Sequence, residues 1–179
     1  MAPGSGPPAI VTPRLRLVPL HAGTIRALLV GDRALASREQ GSEIPPDFTG
    51  ADDEFFLRIQ LERMESDPER RAWCARVMVR AADGAVVGHC GFHGPPETVG
   101  RAEIGYTVVP EQRGQGYATE AAGALLTWAR EQGATTVFAS VAPTNHPSRA
   151  VVRKLGFVLT GSQIDEIDGE ELVFELSLT

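Results

Sequence analysis

The chain has few cysteines: among its 179 residues only Cys74 and Cys90 occur, and they share no C-x-x-C spacing. A redox or zinc motif built on that spacing is excluded, and reduced thiols in a cytoplasmic setting are the expectation, since nothing at the N-terminus resembles a signal peptide. No apolar run reaches the roughly 18 residues that suggest a membrane span. Positive charge is also scarce, with 17 Lys and Arg against 23 Asp and Glu and a formal net charge of −6. That balance argues against a sequence-independent nucleic-acid binder, which needs a basic surface to neutralise phosphates, and suits a cationic partner better.

The hydrophobic fraction of 42% is that of an ordinary globular protein, and the length fits one domain with a sizeable core. Residues 1–9, which include "MAPGSGPP", lack the apolar groups to offset their ordering entropy and read as a disordered tail; residues 10–179 read as a single domain. "IVTPRLRLVPL", from Ile10, alternates like a half-buried strand. A short helix over His21 to Val30, a turn-rich loop from Gly41 to Gly50, and a helix led by Asp52 and Asp53 and stopped at Asp67-Pro68 follow. Three strands, Trp73 to Arg80, Ala85 to Phe92 and Arg101 to Val109, suggest an antiparallel meander. Ala118, Ala121, Ala122, Leu125, Leu126 and Ala129 then fall on one helical face. A strand over Thr135 to Ala142, a helix in "SRAVVRKLG" and a closing strand over Glu171 to Leu178, after an Asp168-Gly169 turn, complete the chain.

Between the third strand and the long helix lies "EQRGQGYATEAA", Glu111 to Ala122. Glycines here serve equally as a plain strand-to-helix turn or as an anion cradle, because a helix's first turn carries unsatisfied N–H groups and partial positive charge. A Walker loop is excluded by the missing Gly-Lys-Ser/Thr ending, and a dinucleotide fingerprint fails at Thr119, where its third glycine belongs.

Arg113-Gly114-Gln115-Gly116-Tyr117-Ala118 matches the Gln/Arg-x-x-Gly-x-Gly/Ala motif of the GNAT superfamily of N-acyltransferases. The resemblance continues through "APTNHPSRAVVRKLGF", and "TPRLRLVPL" resembles the opening strand of the RimJ/RimL-like branch. It implies an α/β (α+β) GNAT fold: a mixed, mostly antiparallel, splayed sheet of six to seven strands with about four helices. The implied activity is acetyl transfer from acetyl-CoA to a primary amine by direct attack in a ternary complex, without a metal. That amine is a protein N-terminus or a small molecule such as a polyamine or amino-sugar. Alternatives are another acyl donor or a non-catalytic acyl-CoA-binding regulator. Many relatives are dimers, and nothing in the sequence decides that point.

By the same resemblance, the backbone from Gln115 to Ala118, with Gly114, would hold the coenzyme A pyrophosphate, supported by Arg113. Val108 and Val109 would pair through backbone groups with the pantetheine arm. Glu103 stands where the family often carries a catalytic glutamate, against the plain alternative of a solvent-facing strand residue. Asn145 is implied as a pantetheine or loop-ordering residue, with an Asx turn as the local alternative, and Ser148 as a hydroxyl near the departing thiolate, with a helix N-cap as its alternative. One departure is evident: many members place a tyrosine as general acid four residues before the glycine of "GF", and here that residue is Val152. Tyr106 and Tyr117 are expected to pack in strand and loop. His89, Cys90 and His93 in "GHCGFHG" match no usual zinc spacing, and His93 is a candidate for lining an acceptor pocket. The acidic set Glu43, Asp47, Asp52, Asp53 and Glu54 flanks the region that lines the acceptor cleft in similar proteins.

Overall fold

The computed structural model describes residues 6–50, 53–96, 100–165 and 169–179; most of the expected tail, Asp52 and Asp168 lie outside them. Eight strands form one sheet in the order β1-β2-β3-β4-β5-β6-β8-β7. In chain order these are β1 (Ile10–Val11), β2 (Leu15–Pro19), β3 (Arg76–Arg80), β4 (Val86–Phe92), β5 (Arg101–Val108), β6 (Thr136–Val141), β7 (Val158–Asp165) and β8 (Gly169–Ser177). The helices are α1 (Ala22–Leu29), α2 (Arg33–Gln40), α3 (Glu54–Ser66), α4 (Tyr117–Glu131) and α5 (His146–Lys154). All strand pairs are antiparallel except β5 with β6, which the α4 crossover makes parallel.

The sheet is covered on both faces, which explains why β3 and β4 are buried almost throughout rather than alternating. Period two, interrupted in β4 by the register shift opposite Met78–Val79, sorts their residues into two cores. Met78, Val87 and Cys90 join Ala121, Leu125 and Val152 of α4 and α5, whereas Val77, Val79 and Val86 join Ile25, Phe48 and Leu57 on the α1–α3 side. The predicted small-residue face of α4 is this contact: Ala121, Ala122, Leu125 and Ala129 are fully buried.

Three features raise the count above the expected six to seven strands and four helices. The opening run is two strands, because the chain turns at Thr12–Arg14 and β1 pairs back on β2. α2 was hidden by its polarity, with only Ala36 and Gln40 buried, although its ends carry local signals: Asp32 accepts the Leu35 N–H at 2.8 Å, and Gly41 closes it with φ +72°. β7 is an edge strand exposed along nearly its whole length, so no burial periodicity marks it. No helix among the described residues is long and apolar enough to cross a membrane.

The register that matters most for the site is between β4 and β5, where Gly88 faces Val108. A Cβ on Gly88 would lie 2.1 Å from the Thr107 carbonyl oxygen and 2.9 Å from Val108 Cα, so only glycine admits this approach. Gly88→Ala is expected to destabilise the fold by about 1–3 kcal/mol through overpacking against backbone. A urea midpoint unchanged from the unmodified protein would contradict that packing.

Candidate active site at the parting of two strands

β5 and β6 pair only at Arg101–Thr136, Ala102–Val137 and Glu103–Phe138, and then separate. Beyond that point β5 stays with β4 and β6 stays with β8, which opens a wedge between the two central strands. Odd-numbered β5 residues turn their backbone groups to β4: the Glu103 carbonyl accepts the His93 N–H at 2.9 Å. Tyr106 and Val108 therefore turn theirs into the wedge, where β5 has no strand partner. The Val108 carbonyl accepts from Arg113 Nε at 3.0 Å. The N–H of Val109, paired with Val108 in the sequence expectation, is committed to the Val87 carbonyl at 3.0 Å. The residue free to act with Val108 is Tyr106, two positions earlier, as strand alternation requires.

At the mouth of the wedge the glycine loop leads into α4. Gly114 and Gly116 adopt φ values of +75° and +82°, the left-handed region that glycine enters without steric cost. Gly116 is the N-cap of α4 and offers no side-chain cap. The N–H groups from Gly114 to Thr119, which include Gln115, Tyr117 and Ala118, meet no acceptor among the described residues, the first loop-to-helix bond being Glu120 N–H to Gly116 O. They form a run of bare donors at the positive end of a helix, the physical requirement for holding an anion.

A residue far away in sequence braces this loop. Arg14, in the turn between β1 and β2, donates through Nη1 to the Gln115 carbonyl at 2.9 Å and through Nε to Glu120 Oε2 at 2.6 Å. Its guanidinium also lies 4.8 Å from the centre of the Tyr117 ring. Arg80, at the end of β3, reaches Gln112 Oε1 at 2.9 Å. Arg14, Arg80 and Arg113 thus converge on the loop from three elements. No local pattern in the sequence announces Arg14 or Arg80, because their partners lie 106 and 32 residues away.

Glu103 sits at the last paired position before the wedge opens. His93 Nδ1 lies 3.1 Å from Glu103 Oε2 as an ion-pair contact, and Ser140 of β6 is a further neighbour that favours the charged carboxylate. Burial alone pushes the Glu103 carboxyl up, but the His93 hydrogen bond and charge, with Ser140 and Arg101, outweigh it and hold the group below its ordinary range. Glu103 is therefore a partly buried, ionised carboxylate rather than a solvent-facing strand residue. Ser140 in turn accepts from Gln163 Nε2 of β7 at 3.1 Å. Sequence reasoning missed Ser140 and Gln163, which only the strand order brings beside β5.

Asn145 and Ser148 lie on the other face. Asn145 is the N-cap of α5, its Oδ1 accepting the Ser148 N–H at 3.1 Å, so the Asx geometry expected locally is present and the cap is Asn145 rather than Ser148. The Ser148 carbonyl accepts the Tyr106 hydroxyl at 3.2 Å, which ties β5 to α5 across the wedge. Burial pushes the Tyr106 phenol up to about 12, so it keeps its proton at neutral pH. Tyr106 and Glu103 have opposite parity along β5, so their side chains approach the wedge from opposite faces of the sheet.

The residues of "GHCGFHG" scatter. His89 is buried between Phe48 and Phe56, at ring distances of 5.2 and 5.4 Å, while Cys90 faces the other core, where burial pushes its thiol up to about 12. Among the described residues, no group of three or more His, Cys, Asp or Glu converges as a metal site requires.

The overall fold is shared with solved acetyltransferases. The ribosomal-protein-S5-alanine acetyltransferase of Vibrio fischeri matches with a TM-score of 0.65 at 14% identity, over 94% of this chain and 96% of that one. The microcin C7 self-immunity acetyltransferase MccE, solved with acetyl-CoA and AMP, matches with a TM-score of 0.64 at 16% identity, over 93% of each chain. In sequence, the chain is 29% identical over 151 residues to YjdG of Bacillus subtilis, an uncharacterized N-acetyltransferase, covering 83% of this chain and 88% of YjdG. The family model described as an acetyltransferase (GNAT) domain matches residues 14–158, and the chain belongs to that family. It is accordingly an N-acetyltransferase by fold and family, and its matched region begins at Arg14, the residue that braces the glycine loop.

The lowered Glu103 carboxyl has a consequence for stability. A carboxylate whose folded pKa lies below its unfolded value contributes stability that is present above the ordinary carboxylate range and lost as pH falls through it. The stability difference between the unmodified protein and Glu103→Gln should therefore shrink as pH falls from about 7 to about 3, read from urea midpoints. A difference constant across that range would contradict the ionised, hydrogen-bonded state.

Proposed function

We propose that the protein transfers an acetyl group from acetyl-CoA to a primary amine by direct attack in a ternary complex. The observation that carries this reading is the run of bare N–H donors from Gly114 to Thr119 at the mouth of the β5–β6 wedge. These donors suit a diphosphate, with Arg113 and the braced Arg14 adding positive charge. The free backbone of Tyr106 and the N–H of Val108 suit the amides of a pantetheine arm lying along the wedge, in the manner of an added strand. Asn145 and Ser148 border the same opening from α5.

Acetyl-CoA supplies the thioester carbonyl and the leaving thiol. The chain's own contribution is to orient the two substrates and to remove a proton from the amine, for which the ionised Glu103 is the charge that drives the transfer. Neither cysteine suits a covalent intermediate, because both are buried with thiols pushed up to about 11 at Cys74 and about 12 at Cys90. Solved structures that share this fold include a ribosomal-protein-S5-alanine acetyltransferase and a microcin C7 self-immunity acetyltransferase. Protein N-termini and small amines are therefore the first acceptors to test.

The test is thiol release from acetyl-CoA with alanine- and serine-terminated peptides, spermidine and an amino-sugar. Release with at least one amine is expected; acetyl-CoA binding without release from any of them would instead support an acyl-CoA-binding regulator. Gly116→Val forces a β-branched residue into the left-handed region, and it should weaken CoA binding at least tenfold, about 1.4 kcal/mol, by calorimetry. Undiminished affinity would remove the loop from the binding site.

A further inference from the structure

His93 stands just past the end of β4, and its ring runs along β5. Nδ1 meets the Glu103 carboxylate at 3.1 Å. Nε2 lies over Gly105, so closely that a Cβ there would be 3.0 Å from it. Glu103 is the last residue of β5 paired to β6, and Gly105 is the next residue on the same face, beside the open wedge. The imidazole thus spans the step from the closed part of the sheet to the open part, with Gly105 leaving room for it.

Resting on the acetyl-transfer reading above, we propose that His93 Nε2 takes the proton from the acceptor amine, with Glu103 as the positioning residue that fixes the imidazole. A carboxylate only accepts, so the hydrogen between the two groups sits on Nδ1, and in the neutral ring Nε2 keeps a free lone pair. Glu103 is a poor candidate for direct contact: its side chain is 24% exposed against 43% for His93. Its carboxyl is also lowered by its neighbours, Ser140 among them, and surroundings that favour the charged form weaken it as a base. The charged groups acting on the pair are Arg101 on β5 and Arg63 on α3, both close enough to interact with Glu103.

In the step, the amine nitrogen forms a bond to the acetyl carbonyl carbon while the C–S bond breaks, and the amine proton passes to Nε2. The thiolate takes a proton from water, and the imidazolium returns its own to solvent. Glu103 stabilises the imidazolium without itself becoming protonated.

The experiment compares the unmodified protein, His93→Ala and Glu103→Gln, using acetyl-CoA with spermidine and an alanine-terminated peptide from about pH 5.5 to about pH 9. Nitrogen NMR of the His93 ring, which needs no turnover, accompanies it. His93→Ala should lose about 100-fold in kcat/KM near neutrality, together with the acid limb of the profile, while acetyl-CoA affinity stays the same. Glu103→Gln should lower kcat more than it raises KM for the amine, because the imidazole loses the carboxylate that fixes it. The neutral His93 ring should carry its hydrogen on Nδ1 in the unmodified protein and lose that preference in Glu103→Gln. An unchanged rate and acid limb in His93→Ala, or a hydrogen on Nε2 in the unmodified protein, would overturn the assignment. Normal turnover by His93→Ala with a failing Glu103→Gln removes this assignment and leaves acetyl transfer standing; no turnover by the unmodified protein with any amine removes both.

Discussion

The site depends on two strands that pair for three positions and then part. A parallel pair made by one helical crossover would ordinarily continue as a ladder, but here each strand keeps its outer partner and releases the inner one. β5 follows β4 to Val108, held close by Gly88, and β6 follows β8 to Val141. Unpaired backbone groups out of reach of water are costly, so an open wedge is stable only if something polar occupies it. Tyr106 meets part of that requirement by reaching the Ser148 carbonyl, and Arg113 meets another part by binding the Val108 carbonyl. The remaining groups define a slot with the polarity of an extended amide chain.

The parting also decides where charge accumulates. Glu103 occupies the last closed position, where burial and neighbours compete and the neighbours win. The glycine loop lies at the other end of the wedge, where α4 presents its uncapped N-terminus. Negative charge near the closed end and positive potential at the mouth set a polarity along the wedge. An anionic tail would enter at the loop and an amine would meet the carboxylate end. Arg14 couples this arrangement to the N-terminal hairpin, since it holds both the loop carbonyl of Gln115 and the first-turn residue Glu120.

Much of this was legible in the sequence, for reasons that can be named. The strand, glycine loop and helix were readable because glycine, proline and a small-residue stripe are local signals, and the GNAT resemblance rested on two motifs, each contiguous in sequence. The long helix α4 and strands β3 to β6 therefore fell close to their observed positions. What escaped depended on contacts between distant segments. α2 is too polar and β7 too exposed for periodicity to find them. Ser140 and Gln163 come near Glu103 only through the strand order β5-β6-β8-β7, and Arg14 reaches the loop only because α4 packs against β1 and β2. Adjacent strand residues turn their backbone groups to opposite sides, so the Val109 N–H goes to Val87 and Tyr106 is the same-side companion of Val108.

The central claim is that bare backbone donors at the start of α4 hold the anionic end of acetyl-CoA. Amide NMR of the unmodified protein, with and without acetyl-CoA, measures this most directly. The resonances of Gly114 to Thr119 should shift and exchange more slowly with solvent when acetyl-CoA is added, because each donor gains an acceptor. Binding that leaves those amides unmoved, while others respond, would contradict the account.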